Sequence, residues 1–112
     1  MSVHGLATRA LRSLDPEAAH GWAIRGLKLG LGPVAPPDDP FLATSLAGLQ
    51  LPNPIGLAPG FDKNAEVFGP MHRAGFGFVE CGTVTPLAQP GNPKPRMFRL
   101  SEDRAVINRL GF

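Results

Sequence analysis

Three short stretches hold the side chains that can do chemistry. In "LAPGFDKN", Leu57 to Asn64, an apolar run gives way to Pro59, Gly60 and Phe61 and then to the charged pair Asp62 and Lys63. A lysine fixed by a tight turn at the end of a strand offers its ammonium to an anion or an electron-rich ring. In "ECGTVTP", Thr83 follows Gly82 in the same relation to a second apolar run. Glycine at 60 and 82 lets a flat ring or a phosphate approach the backbone closely. In "INRLGF", Asn108 and Arg109 stand between Ile107 and Leu110, which either ends a strand or presents hydrogen-bond donors to a ligand. Plainer readings stand beside these. A lysine after a turn is ordinarily a solvated surface residue, and Thr83 an ordinary strand former. Cys81, without a His or Asp partner in the pattern, reads as a small buried hydrophobe. His20 reads as a surface residue, and His4, His20 and His72 lack metal-ligand spacing.

These residues need elements to position them. Asp15, Pro16 and Glu17 supply an N-cap, a proline at the first helical position and an acid in the first turn, so a helix is expected from there to about Gly30. Ala19, Trp22, Ala23, Gly26 and Leu27 fall on its apolar face, with Glu17, His20, Arg25 and Lys28 on an opposite arc interrupted by Ile24. A shorter helix over Leu6 to Leu14 is expected before it. "GPVAPPDDP", Gly32 to Pro40, can be neither helix nor central strand, which makes residues 32–43 a linker between an N-terminal helical segment, 1–31, and the remainder, 44–112. A hairpin around Gly48, a buried strand at Ile55 to Ala58, a helix from Asn64 to Ala74 and a strand at Phe78 to Cys81 follow. Pro70 speaks against that last helix. Strand, helix and strand form a βαβ unit with parallel strands, and in such folds functional loops follow the strands' C-terminal ends. Lys63 and Thr83 then share one rim.

Composition narrows the class. Glycine (14) and proline (13) are abundant without a tandem period, so the fold is loop-rich and neither collagen nor a repeat array. The single cysteine excludes an intramolecular disulfide framework and a Cys-rich zinc site. No apolar run is long enough to span a bilayer, and Arg9, Arg12 and Asp15 interrupt any signal-peptide core. The net charge of +2 lies wholly in residues 1–31, as Arg9, Arg12, Arg25 and Lys28 against Asp15 and Glu17. That is too sparse for nucleic acid but suits a segment resting on anionic lipid.

"LDPEAAH" at 14–20, "NPIGLAPGFDKNAE" at 53–66, "GFGFVECGTVTPLAQPGNPKPRMFRL" at 75–100 and "AVINRLGF" at 105–112 together resemble the quinone-dependent, class 2 dihydroorotate dehydrogenases of pyrimidine biosynthesis. The N-terminal helical segment separates the chain from class 1 and from dihydropyrimidine dehydrogenase-like FMN barrels. The resemblance implies an α/β fold, the N-terminal portion of a (β/α)8 barrel preceded by a small helical quinone-tunnel segment that associates with the membrane. It implies FMN as cofactor and oxidation of (S)-dihydroorotate to orotate, one hydrogen passing as hydride to the flavin while a base takes a proton from the neighbouring carbon. A membrane quinone then accepts the electrons. Position by position, Pro59, Gly60, Phe61, Asp62, Lys63 and Thr83 correspond to FMN-contacting residues. Lys63, Asn108, Arg109, Leu110, Gly111 and Phe112 correspond to substrate residues, and His20 and Arg99 to residues lining the quinone passage. Pro59 stands where the family has alanine, which matters little for a backbone contact. No metal is implied. The implied location is peripheral, on the cytoplasmic face of a bacterial inner membrane.

A closed (β/α)8 barrel takes roughly 250 residues, so 112 residues are expected to be a fragment that lacks the class 2 serine base and is inactive alone. In class 1 that base is a cysteine. The competing expectation is a stand-alone lipid- or partner-binding module, which would leave a parallel strand edge and much apolar surface exposed.

Overall fold

The computed structural model describes residues 3–112, the side chain of His4 excepted. Two compact units divide the chain, Gly26–Val84 and Met1–Arg25 with Thr85–Phe112.

In the first unit a 3-10 turn, Pro40–Leu42, precedes the antiparallel pair β1, Thr44–Leu46, and β2, Leu49–Leu51. Ala47 and Gly48 both have positive φ, 49° and 82°, the two-residue turn whose twist matches that of the strands it joins. The βαβ unit follows as β3, Gly56–Leu57, α3, Phe68–Arg73, and β4, Phe78–Val79. Gly56 pairs with Phe78 and Leu57 with Val79 in parallel. The Phe78 ring lies against Gly56 where any β-carbon would overlap it, so a larger residue there would have to displace that ring.

Two expectations are corrected here. The helix begins at Phe68 rather than Asn64, because Asp62 takes up the amides of Glu66 and Val67 and holds 62–67 in a turn. Pro70 thereby falls in the first helical turn, where its missing N–H costs no hydrogen bond. The strand expected to be buried is only half-buried, and Ile55 is 62% exposed.

Val67, Met71, Leu51 and Leu27 form the apolar interior of this unit. Asn53, 3% exposed, ties the proline-rich segment to it. Its Nδ2 donates to the Asp38 carboxylate at 3.0 Å and to the Gly75 carbonyl at 2.9 Å, and its Oδ1 accepts the Ile55 amide at 2.9 Å. A β-carbon on Gly77 would collide with the Asn53 carbonyl.

The second unit holds α1, Val3–Arg12, most of α2, Pro16–Lys28, and the hairpin β5, Met97–Leu100, with β6, Ala105–Asn108. Asp15 caps α2 as expected, accepting the Ala18 amide at 3.0 Å. At its other end Gly30, φ +78°, lets the Gly30 and Leu31 amides return to the Leu27 and Gly26 carbonyls, the bonding that stops a helix at glycine. Helix α1 lies a few residues earlier than expected, because Ser13 turns its hydroxyl and amide onto the Ala10 carbonyl. Trp22 is 56% exposed, and the Arg25 guanidinium lies 5.0 Å from its ring centre. Ala19 alone of that expected face is buried within this unit.

Asn53→Leu keeps the volume but leaves the Ile55 amide and Gly75 carbonyl, both partly shielded from water, without their partner. The expected loss is about 2–4 kcal/mol, read from the urea midpoint of the complete gene product.

Candidate functional site

The loop after β3 is shaped by Asp62. This carboxylate is 2% exposed and accepts the Glu66 amide at 2.7 Å and the Val67 amide at 2.8 Å. Its side chain is thus committed to the fold, and what the loop presents outward comes from its neighbours. Lys63, Phe61 and Gly60 are partly exposed and Pro59 exposed. Gly60 has φ +107°, a conformation other residues adopt only with strain. A β-carbon built on it meets no atom within 4 Å, so the loop face at Gly60 is open to a flat group.

The loop after β4 is bonded directly to this one. The Gly60 amide donates to the Gly82 carbonyl at 2.9 Å, and the Gly82 amide donates to the Asp62 carbonyl at 3.1 Å. Thr83, exposed, follows the buried Gly82. The rim expected from the βαβ pattern therefore exists as two mutually bonded loops, one bearing Lys63 and the other Thr83. Cys81 proves to have an acidic neighbour that the sequence pattern did not disclose, with Sγ 3.8 Å from the Asp62 carboxylate. Burial, and then the adjacent Asp62 charge, push its thiol above the ordinary range, which keeps it protonated and unreactive.

In the other unit the segment Asn108–Phe112 is held by its backbone. Asn92 donates its amide to the Leu110 carbonyl at 2.9 Å and its Nδ2 to the Arg109 carbonyl at 2.8 Å, and the Arg109 amide donates to the Arg96 carbonyl at 2.8 Å. The Arg109 guanidinium is turned onto the Pro95 carbonyl. Asn108 is exposed at the end of β6, with Oδ1 3.4 Å from the Leu110 amide.

Arg96 and Glu17 brace this segment from behind, a contact that the sequence pattern does not disclose. The Arg96 guanidinium grips the Glu17 carboxylate, Nη2 at 2.6 Å and Nε at 3.1 Å from both oxygens. Its Nη1 donates to the Pro90 and Asn92 carbonyls, each at 2.9 Å. These hydrogen bonds hold the Glu17 carboxyl below its ordinary range and raise the Arg96 guanidinium. The one available signal was a pair of arginines around a short strand, at 96 and 99.

Arg99 reaches the end of α1, donating to the Leu14 carbonyl at 2.6 Å and the Leu11 carbonyl at 3.2 Å. His20 is partly buried on α2. Val3, Leu6 and Trp22 on these helices and Leu14 between them expose apolar surface, yet among the described residues no helix is long and apolar enough to cross a membrane. The side chain of His4 lies outside the described residues, as do Met1 and Ser2.

Residues 41–112 match the family model described as dihydroorotate dehydrogenase. The chain is 60% identical over 107 residues to a dihydroorotate dehydrogenase (quinone) of Brucella anthropi and 63% over 108 residues to that of Sinorhizobium medicae, covering 96% of the chain in each case. It spans only 29% and 30% of the length of those relatives. Among solved structures, DHODH of Eimeria tenella in complex with ferulenol superposes with a TM-score of 0.84 at 47% identity, over 92% of this chain and 29% of that one. The described elements are therefore an α/β segment of the (β/α)8 enzyme fold, with helices ahead of the first barrel strand.

Two outcomes follow from the carboxylates. Asp62→Ala leaves the Glu66 and Val67 amides without acceptors, and a loss of about 2–4 kcal/mol is expected in denaturant unfolding. Glu17, lowered by Arg96, contributes stability that is fully present above the ordinary carboxylate range and is lost as pH falls through its lowered value. The Tm gap between the parent and Glu17→Gln is thus expected to be widest near neutrality and to shrink in acid.

Proposed function

Because the chain belongs to the dihydroorotate dehydrogenase family, we propose that the protein takes part in oxidising (S)-dihydroorotate to orotate in pyrimidine biosynthesis, with FMN as prosthetic group and a membrane quinone as electron acceptor. The observation that supports this most is the pair of bonded loops at the ends of β3 and β4, which lies within the stretch matched by the family, carries Lys63 and Thr83 and leaves Gly60 open. That open face, on a loop that also carries the cationic Lys63, fits a planar group that acquires negative charge.

In this reading the backbone of Pro59, Gly60 and Phe61, with Lys63 and the Thr83 hydroxyl, would hold FMN. Asp62 serves through its backbone and the loop shape, since its carboxylate is buried on the Glu66 and Val67 amides. FMN, when bound, supplies the two-electron acceptor between the two substrates. Dihydroorotate loses two hydrogens from adjacent ring carbons, which become doubly bonded, and the quinone gains two electrons and two protons to become the quinol. Lys63 orients the dihydroorotate carboxylate and offsets charge that develops in the reaction. Asn108 can donate to and accept from the pyrimidine ring through its amide, with Arg109, Leu110, Gly111 and Phe112 completing that segment. A serine base would come from outside residues 1–112.

His20 and Arg99 would line the quinone passage. The exposed Leu6, Leu14 and Trp22, with Arg9, Arg12 and Arg25 among them, have the composition of a surface helix that rests on anionic lipid. The location proposed is peripheral, on the cytoplasmic face of a bacterial inner membrane.

In the complete gene product, Lys63→Ala is expected to lower kcat/KM for dihydroorotate by roughly 10²-fold or more, measured as anaerobic bleaching of the flavin band. A parent protein whose flavin dihydroorotate does not bleach would refute the reading. Residues 1–112 purified alone are expected neither to retain stoichiometric FMN nor to reduce a soluble quinone analogue.

A further inference from the structure

Arg96 bridges two parts of its unit. Toward α2 it holds Glu17 through Nε and Nη2, and toward the loop before β5 it holds the Pro90 and Asn92 carbonyls through Nη1. Asn92 in turn holds the Arg109 and Leu110 carbonyls, and the Arg109 amide returns to the Arg96 carbonyl. Gly91, φ +74°, is squeezed between the two ends of this clasp. A β-carbon on it would lie 2.5 Å from the Leu110 carbonyl oxygen and 2.6 Å from Arg96 Nη1.

Every bond in this chain of contacts is made by a planar group with fixed geometry. A lysine ammonium can meet Glu17 or the carbonyls, but it cannot span both in one plane. The guanidinium is also shielded, with its side chain 17% exposed and that of Glu17 20%, so solvent competes weakly for either partner.

We propose that Arg96 is a positioning residue for Asn108–Phe112, setting that segment's backbone through Asn92 while Glu17 of α2 fixes the guanidinium. The inference rests on the reading of Asn108–Phe112 as the substrate segment. Arg96 touches neither substrate nor cofactor in this account; it acts through Asn92 and its own carbonyl. Displacement at the first turn of α2 is transmitted by the same contacts to residues 109 and 110.

The test uses the complete gene product with Arg96→Lys, Asn92→Ala and the exchange Glu17→Arg with Arg96→Glu. Orotate affinity is read from perturbation of the flavin spectrum, and amide exchange is followed at residues 109–111. Arg96→Lys is expected to weaken orotate binding about tenfold or more, the size of one lost charge-assisted bond, Asn92→Ala by roughly threefold or more, the size of one neutral bond, and both to speed exchange at 109–111. FMN content and reoxidation by a soluble quinone should stay as in the parent. The exchanged pair should recover neither the parent Tm nor orotate affinity, because glutamate at 96 has no donor for the Pro90 and Asn92 carbonyls and arginine at 17 faces Lys94. Unchanged affinity and exchange in folded Arg96→Lys and Asn92→Ala overturn the proposal, as does recovery of orotate affinity by the exchanged pair. Where Arg96→Lys does not fold, the exposed Asn92 site decides alone. A parent protein that binds no orotate defeats the functional reading, while exchange at 109–111 still decides whether Arg96 positions the segment.

Discussion

Both oxygens of the Asp62 carboxylate are occupied by backbone amides, and the residue is almost wholly out of water. An unpaired amide in that setting would cost about 1–3 kcal/mol, so the chain from 62 to 67 has little freedom to adopt another path. That turn fixes where α3 starts and moves Pro70 into a tolerated position. Lys63, the next residue, stays partly exposed. The Asp62 carbonyl meanwhile takes the Gly82 amide, so one residue shapes its own loop and ties it to the loop bearing Thr83.

Glu17 and Arg96 do comparable work in the other unit. The Lys28–Glu66 pair offers a useful contrast, since both side chains are more than a third exposed although the nitrogen and oxygen are 2.6 Å apart. Exposed pairs contribute little net stability because solvent and salt screen them. Lys28 lowers the Glu66 carboxyl, but removal of that pair leaves no buried group stranded. Arg96 differs because its remaining donors satisfy backbone carbonyls that shape the loop from 90 to 92.

Much of the local structure was legible from residue types. Asp15, Pro16 and Glu17 marked the start of α2, Gly30 its end, and Gly48 the hairpin turn, because each depends on short-range geometry. The alternation of apolar runs with turns gave a parallel βαβ unit and the loops on which Lys63 and Thr83 sit. The helix expected from Asn64 starts later because the Asp62 carboxylate takes the Glu66 and Val67 amides, an advantage that arises only when the turn is buried. Trp22 lay on the apolar side of the helical wheel yet faces solvent, since a wheel records which residues share a face and not what covers it.

The sequence by itself determined the two N-terminal helices, the hairpin at Gly48, the parallel βαβ unit and the family to which its ordered motifs belong, because all of these are encoded in neighbouring residues. Only the tertiary structure decided that Asp62 turns inward while Lys63 stays partly exposed, that Cys81 lies beside that carboxylate, and that Arg96 joins Glu17 to the backbone around Asn92. Those outcomes depend on which polar groups lose water together. Residues 79 positions apart in the chain, as Glu17 and Arg96 are, meet only after folding has chosen their surroundings.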